Sequence, residues 1–230
     1  MALTELSGLL GLLFMEAFAQ FWPILWLSLA VSGIAVLTSS LIGLPLGVSI
    51  GLSTFRGKSV VVGAIHTGMA LPPVVVGLVL YLLLSRSGPW GSLGWLFSPQ
   101  AMLLAQIILD LPFVVGITAV AVGAVPRELL WQLRSLGASL HQARWEIVRE
   151  ARAGILLAVA TAFGRSLSEV GAVWLVGGNI EGHTRVMTTA IVLETGKGNF
   201  ALALLLGGTL LAVAFAINLI IARYPWRALP

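Results

Sequence analysis

Cysteine is absent from this 230-residue chain, and charge is scarce. Without a thiol, disulfide staples, thiolate nucleophiles and cysteine–metal clusters are excluded. Asp, Glu, Lys and Arg together make up 10% of the residues, against about 25% in soluble domains. The net charge of +4 is spread too thinly to line a nucleic-acid groove, so no nucleic-acid partner is expected. Histidine is sparse as well. His66, His141 and His183 sit in three separate regions, and none of their spacings matches HExxH, so no metal site is expected. A nucleophile with an oriented base is missing too, which argues against an enzyme. A phosphate-binding Walker A loop is also lacking. Its nearest approximation, Thr195-Gly196-Lys197-Gly198, has neither the following hydroxyl residue nor the spacing. If ATP is used, another chain binds it. The first residues carry no basic stretch, so a cleaved signal peptide is not expected.

Apolar sequence is abundant instead. Hydrophobic residues form 58% of the chain and the mean hydropathy is +1.01, which defines an all-α integral membrane protein seated in a lipid bilayer. Five spans are expected, at residues 24–52, 59–84, 100–125, 154–176 and 200–222. Residues 1–22 keep a helical period of Leu and Phe, which reads as an interfacial amphipathic helix or, alternatively, as a sixth span. Residues 23–230 form the transmembrane domain. Gly43, Gly47 and Gly51, four apart in the first span, would let another helix approach closely. Asn218 in the last span reads as an interhelical hydrogen bond.

One long interior run is not membrane-like: residues 127–152, with five arginines and three glutamates. Leu129, Leu133, Leu136 and Leu140 recur as one stripe of an amphipathic helix, with Gly137 midway. Basic residues decide where it lies. With five spans, one side holds Arg56, Lys58, Arg127, Arg134, Arg144, Arg149, Arg152, Arg223 and Arg227, and the other only Arg86, Arg185 and Lys197. The positive-inside rule places the helix in the cytoplasm and the protein in the cell membrane as a multi-pass protein.

Two features within the spans suggest a route for a polar solute. Pro72-Pro73 falls mid-span and removes two backbone donors, so the helix must kink or break there. Arg165 and Glu169 lie four apart in the fourth span, so both project from one helix face. Each would cost about 2.5–3.5 kcal/mol at a helix centre facing lipid. They read either as an internal salt bridge or as a charged pair lining a pathway.

Three stretches resemble the permease subunits of type I ABC importers, in the molybdate/tungstate branch. These are Leu71-Pro72-Pro73-Val74-Val75-Val76-Gly77, then Ser135-Leu136-Gly137-Ala138-Ser139 with Ile147 ten residues after the glycine, and above all Gly164-Arg165-Ser166-Leu167-Ser168-Glu169-Val170-Gly171-Ala172 followed by Gly178-Asn179-Ile180-Glu181-Gly182-His183-Thr184-Arg185. The continuation TTAIVLETGKGNF is more similar to tungstate permeases. Trp131-Gln132-Leu133 stands where the family has Glu-Ala-Ala, and the proline usual after that loop is absent.

The resemblance implies the type I permease fold and oxyanion import across a homodimer interface. Its partners would be a separate ABC ATPase dimer carrying ATP and Mg, and an extracytoplasmic solute-binding protein. Leu133, Ser135, Leu136, Gly137, Ala138, Ser139 and Leu140 would couple to the ATPase. Pro72, Pro73, Arg165, Glu169, Asn179, Thr184 and Arg185 are the candidates for the pathway and its gate. A competing expectation is a secondary transporter that uses Asp110, Arg165 and Glu169 as an ion relay.

Overall fold

The computed structural model describes the backbone of residues 2–223 and the side chains of residues 21–217 and Leu219. Every regular element in that range is helical. In chain order the α-helices are α1 (Ala2–Leu52), α2 (Lys58–Met69), α3 (Pro73–Leu84), α4 (Pro99–Gly123), α5 (Arg127–Ser135), α6 (Leu140–Glu150), α7 (Arg152–Leu167), α8 (Gly171–Gly177), α9 (Met187–Gly196) and α10 (Phe200–Arg223), with a short 3-10 helix at Gly91–Leu93 between α3 and α4. α1, α4 and α10 contain stretches long and apolar enough to cross a membrane. The pairs α2–α3 and α7–α8 qualify jointly, each bent at a short break, which makes up to five spans among the described residues when each bent pair is taken as one.

The backbone is one helix from Ala2 to Leu52, so residues 2–22 run into the first span without a turn. The side chains of residues 1–20 lie outside the described residues, and with them the choice between a surface helix and a sixth span. The Asn218 side chain lies outside them too.

α1 packs along α4, and the glycine stripe explains how closely. A Cβ on Gly47 would stand 2.7 Å from the Val115 carbonyl oxygen, and one on Gly43 would stand 2.8 Å from Val114 Cγ1. With only hydrogens there, the two backbones meet and gain dispersion contacts that larger residues would prevent. Polar pairs stitch the same seam: Ser39 Oγ donates to the Ile107 carbonyl at 3.4 Å. α1 also holds α9, because Ser28 Oγ accepts the Met187 N–H at 2.7 Å while donating to the Ile24 carbonyl. That N–H is one of the unsatisfied donors of the first turn of α9.

The central core joins α3, α4 and α8 through Leu80, Leu84, Met102, Leu109, Val173 and Val176. A second cluster seats α9 and α10 against α1 and α7 through Met187, Ala190, Leu202 and Leu206. Large apolar side chains such as Trp26, Leu41, Val60, Leu204 and Leu211 remain exposed on the outside of the bundle, as suits a protein whose solvent is lipid.

The polar run 127–152 is not one helix. α5 ends at Ser135, Gly137 adopts φ +89°, and α6 begins at Leu140. The Leu129–Leu140 stripe is therefore cut. Gly137 takes the left-handed conformation of a helix stop, with Ala138 N–H bonding back to the Leu133 carbonyl at 3.0 Å. Ser139 then opens α6 with a capping box: Gln142 N–H donates to Ser139 Oγ at 3.2 Å, and Ser139 N–H donates to Gln142 Oε1 at 2.8 Å.

The resulting elbow is tied to the spans by Ile147 and Ala151, which pack with Val122, Val48, Leu52 and Leu130. The same end of the bundle holds the Phe55–Lys58 turn, where Lys58 Nζ donates to the Ser53 carbonyl at 2.8 Å. The basic turn and the basic elbow thus share one end, as charge counting requires.

Candidate functional site at two helix breaks

Both breaks fall inside spans, and the fold brings them together. α2 and α3 bend by 89° across Ala70–Pro72, where Pro72 and Pro73 supply no N–H. α7 and α8 bend by 56° across Ser168–Val170. The half-helices α3 and α8 then pack on each other through glycines. A Cβ on Gly77 would lie 2.8 Å from Ala172 Cα, and one on Gly171 would lie 2.7 Å from Val74 Cγ2. Pro72, Pro73, Arg165 and Glu169 are thereby gathered around one junction.

The second break was not expected, and it corrects the reading of Arg165 and Glu169. α7 ends at Leu167, so the two residues do not share a helical face. Arg165 and Glu169 form no ion pair in the structure. Instead, Glu169 Oε1 accepts the Ala172 N–H at 3.1 Å, satisfying a donor freed at the start of α8. Arg165 turns away and places its guanidinium carbon 4.9 Å from the centroid of the Phe113 ring, a cation–π contact.

Side chains from two other helices close the backbone of this break. Gln106 Nε2 on α4 donates to the Ser166 carbonyl at 3.0 Å and reaches Ser32 Oγ on α1 at 3.4 Å. Thr188 Oγ1, in the first turn of α9, donates to the Glu169 carbonyl at 2.8 Å. Irregular backbone at membrane depth needs such replacement partners. Gln106, Thr188, Ser32 and Phe113 were missed in the sequence reading. A signal existed for Gln106: an amide in the middle of a span must find a partner, and it faces another element. A narrow crevice remains beside the break, lined by Gln106, Leu109, Asp110, Arg165, Ser166 and Glu169.

Asn179, Thr184 and Arg185 lie elsewhere, at the far end of α8. Asn179 has φ +52°, and glycines with positive φ at 178 and 182 complete a tight loop. Thr184 is buried and ties this loop together: its hydroxyl donates to the Gly177 carbonyl and accepts the Ile180 N–H at 2.9 Å. Arg185 pairs with Glu181 at 3.1 Å. Nearby, Glu194 accepts from Lys197 Nζ and from Asn199 Nδ2, each at 2.9 Å. The Lys197 hydrogen bond is the main reason the Glu194 carboxyl sits below its ordinary value. Asn179 and Thr184 thus stabilise a loop and stand apart from the junction of the breaks.

At the basic end, the elbow presents Leu136 at 85% exposure, with Trp131 at 66% and Trp145 at 60%. Leu133 and Ala138 are half-buried, while Ser135, Gly137, Ser139 and Leu140 are exposed. Bulky apolar groups on an otherwise charged surface mark a binding face. Among the described residues, no three His, Asp or Glu side chains gather as a metal site.

These features define a multi-pass membrane permease: paired broken spans, a polar junction at membrane depth, and an exposed elbow at the basic end. Residues 43–224 match the family described as "Binding-protein-dependent transport system inner membrane component". The chain belongs to that family, as an ABC importer permease.

Relatives align over nearly the full length. A probable anion ABC transporter permease protein from Haloferax volcanii is 46% identical, over 86% of this chain and 87% of the relative. The tungstate uptake system permease protein TupB of Peptoclostridium acidaminophilum is 40% identical, over 88% and 89%. The molybdenum transport system permease protein ModB of Escherichia coli is 31% identical, over 88% and 92%. The fold is shared with a solved amino acid ABC transporter, with a TM-score of 0.69 at 18% identity over 94% of this chain and 97% of that one. The type I permease architecture expected from the sequence is therefore present.

Proposed function

We propose that two copies of this chain form the membrane pathway of an ATP-driven importer for tungstate or molybdate. Each copy couples through its α5–α6 elbow to a separate ATPase subunit, which carries ATP and Mg. An extracytoplasmic binding protein delivers the oxyanion to the opposite end. The observation that carries this reading is the elbow itself. It offers exposed Leu136, Trp131 and Trp145 to a partner, while Ile147 and Ala151 fix it to the ends of α1 and α4. A movement imposed on the elbow is thereby passed to the spans, within the limit set by how differently the ATPase states bind it. The names of the relatives support the oxyanion class, and two of them name tungstate or molybdenum.

A homodimer doubles the five spans and gives the broken half-helices α3 and α8 a second pair to face. Pro72, Pro73, Arg165 and Glu169 belong to the gate region of this pathway. Leu133 to Leu140 form the ATPase-coupling segment. Asn179, Thr184 and Arg185 belong to the outer loop on which the binding protein docks. The ion-relay alternative for Asp110, Arg165 and Glu169 finds no support among the relatives.

The test is uptake into liposomes containing this chain and its ATPase, with the binding protein outside. Uptake of tungstate or molybdate that needs ATP, with sulfate poorly taken up, is the expected result. Uptake without ATP that follows a proton gradient would overturn the proposal in favour of a secondary transporter.

A further inference from the structure

The crevice beside the α7–α8 break contains buried polar atoms whose hydrogen bonds are not made in good geometry. Asp110 is 1% exposed, and neither of its carboxylate oxygens makes a hydrogen bond of good geometry, although the Ser166 hydroxyl stands beside it. Arg165 Nε, Ser166 Oγ and Gln106 Oε1 are buried and unpartnered in the same place. Buried polar groups are nearly always paired, and charges inside a membrane even more so. Four neighbouring side chains with unmet bonds therefore call for an explanation, all the more because the backbone around them is well satisfied by Gln106, Thr188 and Glu169. One guanidinium and two carboxyls, Asp110 and Glu169, line one crevice; Glu169 is engaged by the Ala172 N–H, and the guanidinium rests on an aromatic ring instead of on Asp110.

We propose that Asp110 and Arg165 form a two-position latch: Arg165 lies over Phe113 in the state described and pairs with Asp110 in the opposite state of the transport cycle. The geometry of α4 makes the exchange short. Asp110 and Phe113 are three residues apart on one continuous helix, hence neighbours on one face about one turn apart, a shift of ~5 Å. Arg165 sits in the last turn of α7, directly before the bend, so a change of bend angle moves it along α4. The bend is linked in turn to α3 through the glycine contacts of α8. Asp110 acts here as a positioning residue. It supplies the second resting place for Arg165, so that each bend of the span has a defined partner for the charge. Two discrete partners make the break bistable, the property that converts a small push into a switch.

The latch rests on the transporter reading, and its test separates the two. In liposomes with the ATPase and binding protein, uptake and ATP hydrolysis are measured together. Asp110→Asn keeps the shape of the side chain and removes a buried ionisable carboxyl, so the variant is expected to fold and to copurify with the ATPase. Its uptake per ATP hydrolysed should fall about tenfold, within the usual range of coupling between sites. Arg165→Gln should do the same, and the exchange Asp110→Arg with Arg165→Asp should recover most of the loss. Because the chain has no native cysteine, the pair Asp110→Cys with Arg165→Cys gives a direct reading of geometry. A short bis-maleimide should link the two thiols faster in one of the nucleotide-free and vanadate-trapped complexes than in the other. Equal linking rates in both states, or unchanged coupling in Asp110→Asn, would overturn the latch. A complex of the unsubstituted chain that imports no oxyanion with ATP would overturn the transporter reading instead, before any substitution is made.

Discussion

The two broken spans reach the same shape by different chemistry. In α2–α3 the cause is covalent: the adjacent Pro72 and Pro73 remove two N–H donors at once, whereas the single prolines Pro23, Pro45 and Pro112 are carried inside continuous helices. In α7–α8 every residue could continue a helix, and the break is held by side chains: Glu169 on the Ala172 N–H, Gln106 on the Ser166 carbonyl and Thr188 on the Glu169 carbonyl. A proline break is permanent. A break held by hydrogen bonds can be remade, and it is this one that lies beside Asp110 and Arg165. The comparison teaches that the rigid bend and the adjustable one are placed face to face, with α3 packed on α8.

That contrast can be broken at three points. The largest effect is expected where the two bends touch. Gly77→Leu would drive side-chain atoms into the Ala172 backbone, which cannot yield as a flexible side chain would. Thermal unfolding in detergent should record a loss of about 1–3 kcal/mol or more from this overpacking. An unchanged midpoint would mean that α3 and α8 do not depend on close approach.

Next comes the cap of the adjustable bend. Glu169→Ala removes the acceptor for the Ala172 N–H and should cost about 0.5–2 kcal/mol, as other lost helix caps do. Glu169→Gln keeps an oxygen able to accept that bond and should be much milder in denaturation. A Gln variant as damaged as the Ala variant would mean that the negative charge, and not the cap, is what matters.

The smallest effect belongs to the proline bend. Pro73 occupies the first position of α3, where a missing N–H costs nothing, so Pro73→Ala should change stability by less than about 0.5 kcal/mol. A large change in uptake from this substitution, with stability intact, would show that the rigid bend also serves the transport motion.

The difference between the breaks also explains what the sequence made legible. Two adjacent prolines remove two donors at once, so Pro72-Pro73 announces a bend, while the single prolines Pro23, Pro45 and Pro112 stay inside helices. The glycines at 43, 47 and 51 likewise carry their meaning in their spacing, and α4 lies against them. Charge asymmetry grouped the Phe55–Lys58 turn with the elbow, and both lie at one end of the bundle.

The second break depends on partners far away in the chain. Gln106 reaches Ser166 across 60 residues and Thr188 reaches Glu169 across 19, so no local pattern reveals it. Periodicity was even misleading there, because Arg165 and Glu169 four apart suggested a shared face that the helix does not provide. In the elbow the opposite happened. The stop at Gly137 and the capping box of Ser139 and Gln142 were written locally, but the leucine stripe running through them was given more weight.

The bond between Ser28 and Met187 has a consequence for how the molecule is made. Ser28 belongs to the first span, and the N–H it accepts lies 159 residues further along. During synthesis the serine enters the membrane long before its partner exists. Until then its hydroxyl can only donate to the Ile24 carbonyl, within its own helix. The first helix therefore waits with an open acceptor while the middle spans assemble. α9 fills it only after most of the chain has emerged. Contacts of such long sequence separation form late because the intervening chain must first be ordered. The α1–α9 clasp thus serves as a closing step in assembly, completed after the α7–α8 bend, which α9 holds through Thr188, has been inserted.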